Sequence, residues 1–120
     1  MIPSMLLKKL YLVGSLRNTR EGFAFALKNI LGEGHIIEFE GLQVDGHSHP
    51  SGAVRIRSGQ HPPLLAADIS KASPLPFPVG VEVHLEVEGE PLGSGLHEIV
   101  LRVRTQEVGP ITLNIRDAIS

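Results

Sequence analysis

The chain has 120 residues and no cysteine, which excludes disulfides, thiolate metal sites and a cysteine nucleophile. Its 11 Lys and Arg against 13 Asp and Glu give a formal net charge of -2, and no basic cluster offers the footprint of a nucleic-acid binder. A hydrophobic content of 42% at this length describes one globular domain over residues 1–120 with a single core, and excludes a disordered chain.

Residues 1–5 read as a flexible tail. The apolar stretch Ile2 to Leu7 is broken by Pro3 and Ser4 and closed by Lys8 and Lys9, the reverse of the order in a secretory signal. Leu10 to Val13 falls far short of the roughly 20 residues that span a bilayer. The chain is therefore expected to be cytoplasmic, with no membrane partner. Leu10 to Leu16 is expected to pair, across the polar turn Arg17 to Gly22, with a strand that carries Phe23, Phe25 and Leu27 on one side. His35 to Glu40 reads as a third strand, and Gly41 allows a bend or bulge before Leu42 to Val44. Asp45-Gly46 is a hairpin-turn signal. Val54 to Arg57 is a short strand, Pro62 to Ile69 holds another, and Leu65 to Ala72 has the composition for one helical turn. Pro74, Pro76 and Pro78 remove three backbone donors and make Ser73 to Val79 an extended connector.

From Val81 to Glu88 every odd position is aliphatic and every even one polar, the pattern of a strand with one buried face. Beyond the Gly- and Pro-bearing stretch Gly89 to Gly95, Ile99, Leu101 and Val103 alternate with Glu98, Arg102 and Arg104, and Ile111 to Arg116 alternates again. These three strands are expected to form a C-terminal meander. Roughly eight short strands spaced about 8–12 residues apart predict an all-β fold, an antiparallel β-sandwich of immunoglobulin-like or jelly-roll-like type.

Histidine is the only unusual polar group. If His47-Ser48-His49 is extended, both imidazoles point to one face and would share a divalent metal with Asp45 or His61 as third ligand. The plainer reading is a solvated loop tip beside Pro50 and Gly52, because a His-x-His pair without an assigned third ligand specifies no metal. His47, His49 and His61 are thus the candidate binding residues, and no metal, cofactor or catalytic residue is assigned. His84, between Glu82 and Glu86, reads as a surface or interface histidine, and His97 as a turn-side hydrogen-bonding group. Glu82, Glu86 and Glu88 line one polar face and Glu38 and Glu40 another. Solvation or cross-strand pairing with Arg102 and Arg104 accounts for them better than acid–base catalysis does. No serine lies in a nucleophile-elbow pattern. The glycine pairs at 32–34 and 93–95 precede no helix, so they are hairpin punctuation and not phosphate cradles. One tyrosine and no tryptophan leave little for stacking on sugars or bases.

The segment Leu10-Tyr11-Leu12-Val13-Gly14-Ser15-Leu16-Arg17-Asn18-Thr19 and its continuation Glu21 to Asn29 carry a family resemblance. Together with Leu42 to Gly46, Pro74 to Phe77, Gly89 to Leu92 and Gly95 to Ile99, they resemble the small β subunit of bacterial C-glycoside deglycosidases and its short stand-alone relatives. The resemblance implies a β-sandwich bound to a larger (β/α)-barrel subunit that holds a divalent metal and cleaves 3-oxo C-glycosides. It transfers no catalytic residue to this chain. His47-Ser48-His49-Pro50 departs from the charged and aromatic residues expected after the Asp-Gly turn. The first expectation is accordingly a non-catalytic small subunit of such an enzyme. The alternative is a stand-alone β-sandwich that forms a homo-oligomer and binds a small molecule or a protein partner. A small metal-dependent enzyme built on His47, His49 and His61 comes third.

Overall fold

A computed structural model describes residues 2–59 and 62–119. After a helical turn α1 (Ser4–Leu7) and a 3-10 turn at Lys8–Leu10, the strands in chain order are β1 (Arg17–Asn18), β2 (Gly22–Lys28), β3 (Gly34–Val44), β4 (His47–His49), β5 (Val54–Ser58), β6 (Leu64–Leu65), β7 (Leu75–Phe77), β8 (Glu82–Glu88), β9 (Gly95–Thr105) and β10 (Gly109–Ile119). One sheet has the order β1-β2-β8-β5-β6, and the other the order β10-β9-β3-β4, with β7 also paired to β3. All the pairings are antiparallel. The two sheets form the predicted β-sandwich. Among the described residues no helix is long and apolar enough to cross a membrane.

The alternating pattern explains the layers. Phe23, Phe25 and Leu27 of β2 stand opposite Val87, Leu85 and Val83 of β8 in register, and Val54 and Ile56 of β5 continue the row. They belong to the same core as Phe39, Leu42, Val44, Ile99, Leu101, Leu113 and Ile115 of the second sheet. Burying each such side chain contributes about 1.5–3 kcal/mol relative to leaving it exposed. Strand β2 is buried on both faces because Ala24 and Ala26 on its outer side lie between longer cross-strand neighbours, Arg17 and Glu86 beside Ala24 and His84 beside Ala26.

Three local expectations need correction. The C-terminal meander does not form: β8 sits between β2 and β5 in one sheet, while β9 and β10 make a hairpin in the other. Alternation says which face of a strand is buried but not which sheet it joins, and the link 89–94 is too long to force a hairpin. The strand before the first turn is Arg17–Asn18, not the whole of Leu10 to Leu16. Only a single bridge, Tyr11 to Leu27, and the bond from the Leu12 N–H to Ala26 O remain of that longer pairing. A turn at Gly14 (φ 87°) interrupts it, and the Ser15 hydroxyl takes the Ala26 N–H in place of a backbone carbonyl. Part of the connector at 73–79 joins the ladder as β7, with Pro76 opposite His35 on an edge strand where a missing N–H is tolerated.

Other signals translate directly. Asp45 (φ 52°) and Gly46 (φ 81°) both adopt the left-handed conformation that a two-residue hairpin between β3 and β4 requires. Gly41 lies at one of two register shifts that bend β3. One 3-10 turn, Ala66–Asp68, occupies the stretch with helical composition. At Gly22 the two backbones of β2 and β8 approach so closely that a Cβ would overlap the Val87 carbonyl. The substitution Gly22→Ala is therefore expected to destabilise the fold by about 1–3 kcal/mol or more, because backbone cannot yield as a side chain does. Urea denaturation of the variant beside the parent measures this, and an unchanged midpoint would contradict the packing described.

Candidate interaction site

One end of the sandwich is organised by Asn29, which is only 3% exposed. Its side-chain N–H groups donate to the carbonyls of Gly32 and Phe77, both at 2.6 Å. Its side-chain oxygen accepts from the N–H groups of Leu31 and Gly32. Its backbone exchanges bonds with Val81 and Gly80. A single amide thus ties loop 29–33 to the loop that follows β7. The loops so held present apolar residues to solvent: Ile30 is 49% exposed, Leu31 37% and Val79 53%, and Val108 of the β9–β10 turn is 49% exposed. Leu31 and Val108 line a cleft of about 260 Å³ with Leu7, Leu10, Phe77 and Ile111. That volume lies below the roughly 300–1,000 Å³ of small-molecule pockets, and suits one or two side chains of a partner. At the rim Glu107 accepts hydrogen bonds from the backbone N–H and the Nδ1 of His35, the latter at 2.7 Å. These bonds to His35 hold the Glu107 carboxyl below its usual range.

The other end of β3 is polar. His97 contacts Asp45 Oδ2 through Nδ1 at 2.6 Å and the Gly93 carbonyl through Nε2 at 2.7 Å. Both partners are acceptors, so the arrangement favours the protonated ring, in which both nitrogens donate. The hydrogen bond to Asp45, followed by that to Gly93, raises the His97 pKa above its ordinary 6.5. Asp45 is lowered in turn by His97 and by the Glu98 N–H. The turn-side role read for His97 is what the structure gives it.

The remaining sequence candidates fall in separate places. His47 is exposed on β4, whereas His49 is half-buried with its ring edge-on to Phe23 at 5.3 Å between centroids. Burial, then the neighbouring His47, lowers the His49 pKa. His61 lies outside the described residues. Asp45, the other proposed third ligand, is occupied by His97 and the Glu98 N–H. Among the described residues no three His, Asp or Glu side chains converge as metal ligands. Arg104 sits 3.6 Å from both Glu38 and Glu40, the pairing expected for that face. Glu86 instead pairs with Arg57 of β5 at 2.8 Å and Glu82 with His84 at 3.3 Å, because β8 and β9 belong to different sheets. Asn29, Tyr11 and Asp117 escaped the sequence reading. Nothing in their local patterns marks residues whose partners lie up to 106 positions away.

A scan against protein families matches residues 6–120 to the family described as hydroxymethylglutaryl-CoA reductase, N-terminal domain. The chain belongs to that family. The match overturns the resemblance to the C-glycoside deglycosidase β subunit, which rested on strand and turn residues that many small β-sandwiches share. A search of curated proteins returns no match.

Two outcomes test this geometry. Replacing Asn29 with Ala strands the buried Phe77 carbonyl and removes the bonds to loop 29–33, for an expected loss of about 2–3 kcal/mol in urea unfolding. The Asp45–His97 link has a pH signature. Because the folded His97 pKa is raised, its stabilisation is complete below the ordinary 6.5 and is lost as pH rises through the folded value. Asp45 is lowered, so its share is complete above 3.8 and is lost as pH falls through the folded value. His97→Asn is expected to flatten the decline in melting temperature above about pH 6.5, and an identical slope in the variant would contradict the link.

Proposed function

We propose that the chain is a non-catalytic β-sandwich module that docks through its apolar end onto the catalytic part of a hydroxymethylglutaryl-CoA reductase. The carrying observation is the apolar cleft lined by the exposed Leu31 and Val108 with Leu7, Leu10, Phe77 and Ile111, and with the exposed Ile30 next to Leu31 in the chain. An exposed apolar cleft rimmed by polar residues is a mark of a protein contact. The family description supplies the partner to test. The polar pairs support a binding role over a chemical one. Tyr11 with Asp117, His97 with Asp45 and His35 with Glu107 each fasten one chain segment to another. Among the described residues no buried side-chain nitrogen or oxygen lacks a partner.

The expected outcome is co-elution of the purified chain with a purified reductase catalytic domain on size exclusion. Leu31→Glu and Val108→Glu should each abolish the complex while leaving the circular dichroism spectrum unchanged, since both side chains are already partly in water. Separate elution of the parent proteins at concentrations of about 10⁻⁵ M, within the reach of weak complexes, would overturn the assignment.

A further inference from the structure

The sandwich leaves four sheet margins, and three are closed by strands of only two or three residues: β1, β6, and β4 with β7 beside β3. The fourth is β10, eleven residues in unbroken register with β9 and, among the described residues, paired with no other strand. Proteins normally blunt such an edge with lysines, a bulge or a covering segment. β10 has no lysine and no register shift. In the neighbouring N-terminal segment the N–H groups of Gly14 and Leu16 bond the Asp117 side chain of β10, but among the described residues none of its backbone N–H groups bonds a β10 carbonyl.

The direction of the free groups follows from two residues. Pro110 has no N–H to give β9, and the Ala118 N–H goes to the Asp117 side chain. Backbone groups alternate sides along a strand, so the even-numbered residues face away from β9. Thr112, Asn114 and Arg116 therefore present free N–H and C=O groups, bounded by Pro110 and Ala118. Their side chains are all exposed on the outer face.

We propose that this edge pairs with the β10 of a second copy of the chain, antiparallel about a two-fold axis at Asn114, to make one continuous sheet across a homodimer. In that register Asn114 meets its own symmetry mate and Thr112 meets Arg116, giving six backbone hydrogen bonds in the order that the even-numbered groups allow. The outer face is electrostatically compatible with itself. Within each copy Arg116 neighbours Glu98 and Thr112 neighbours Arg102. Across the dimer a row then reads Glu98, Arg116, Thr112, Arg102, with no like charges adjacent. The central row reads Val100, Asn114, Asn114, Val100, which carries no charge. A self-pairing edge needs this absence of repulsion, because every mismatch occurs twice.

Sedimentation equilibrium over a range of concentrations tests the proposal, with circular dichroism as the check on folding. The parent chain is expected at twice its 13.0 kDa. Asn114→Pro removes two of the central hydrogen bonds and should raise the dimer dissociation constant roughly tenfold or more. If that variant misfolds, Asn114→Lys and Asn114→Asp decide the question at an exposed side chain. Each places like charges across the axis and should be monomeric alone, whereas an equimolar mixture should recover the dimer. A parent chain that stays monomeric at about 10⁻³ M, the weak limit of specific association, would overturn the proposal. So would a dimer that Asn114→Lys leaves intact. Both outcomes are independent of docking to the reductase.

Discussion

A buried carboxylate closes the open side of this sandwich. Tyr11 bridges to Leu27 in one sheet through its backbone and donates its hydroxyl to Asp117 in the other at 2.6 Å. Burial alone would push the Asp117 carboxyl up, but the Tyr11 hydroxyl and the N–H groups of Ala118, Gly14 and Leu16 outweigh it and hold the pKa below the usual range. The phenol moves the other way: burial and the bond to Asp117 raise it. The result is a charge-assisted hydrogen bond, stronger than a neutral pair, in a site where removing one partner leaves the other uncompensated. That bond, with those of the Leu12 N–H and the Ser15 hydroxyl to Ala26, fastens segment 7–16 to both sheets, and Leu7, Tyr11 and Leu16 of the segment are buried in the core.

From that closure the two ends of the molecule take different characters. β3 runs the length of the second sheet, with Gly34 at the apolar end and Val44 at the polar one. At the first, Asn29 satisfies the carbonyls and N–H groups of two loops, so their side chains need no polar partners and are free to be apolar. At the second, the left-handed hairpin at Asp45-Gly46 is fastened to β9 by the hydrogen bonds of the Asp45 carboxylate to His97 and to the Glu98 N–H. The N-terminal turns join these features: Leu7 and Leu10 form one wall of the apolar cleft, and the segment that carries them is anchored on β10.

The histidine pattern shows how far local reasoning extends toward a site. His47 and His49 lie on an extended strand, the condition on which a shared metal depends, and not at a plain loop tip, the simpler reading. Of the two candidate third ligands, Asp45 faces His97, more than fifty residues away in the chain, and His61 lies outside the described residues. In the same way the Glu-rich face of β8 was legible, but its cation was not, because the choice between Arg57 and Arg104 depends on which sheet β8 joins. The apolar cleft was not legible at all. Leu31 and Val108 lie in separate turns and carry no periodic signal.

The sequence by itself determined the longer strand-forming segments, those of β2, β3, β5, β8, β9 and β10, with the Asp45-Gly46 turn and the bulge near Gly41, because these follow from period-two alternation and from the dihedral preferences of single residues, whereas the short strands β1, β4 and β7 did not show in it. Tertiary structure alone decided the allocation of β8 to one sheet and of β9 and β10 to the other, the closure of Tyr11 on Asp117, and the gathering of apolar loops around Asn29. Each of these is a contact between segments far apart in the chain, chosen by how two buried faces fit and how buried polar atoms find partners. No local pattern encodes that choice.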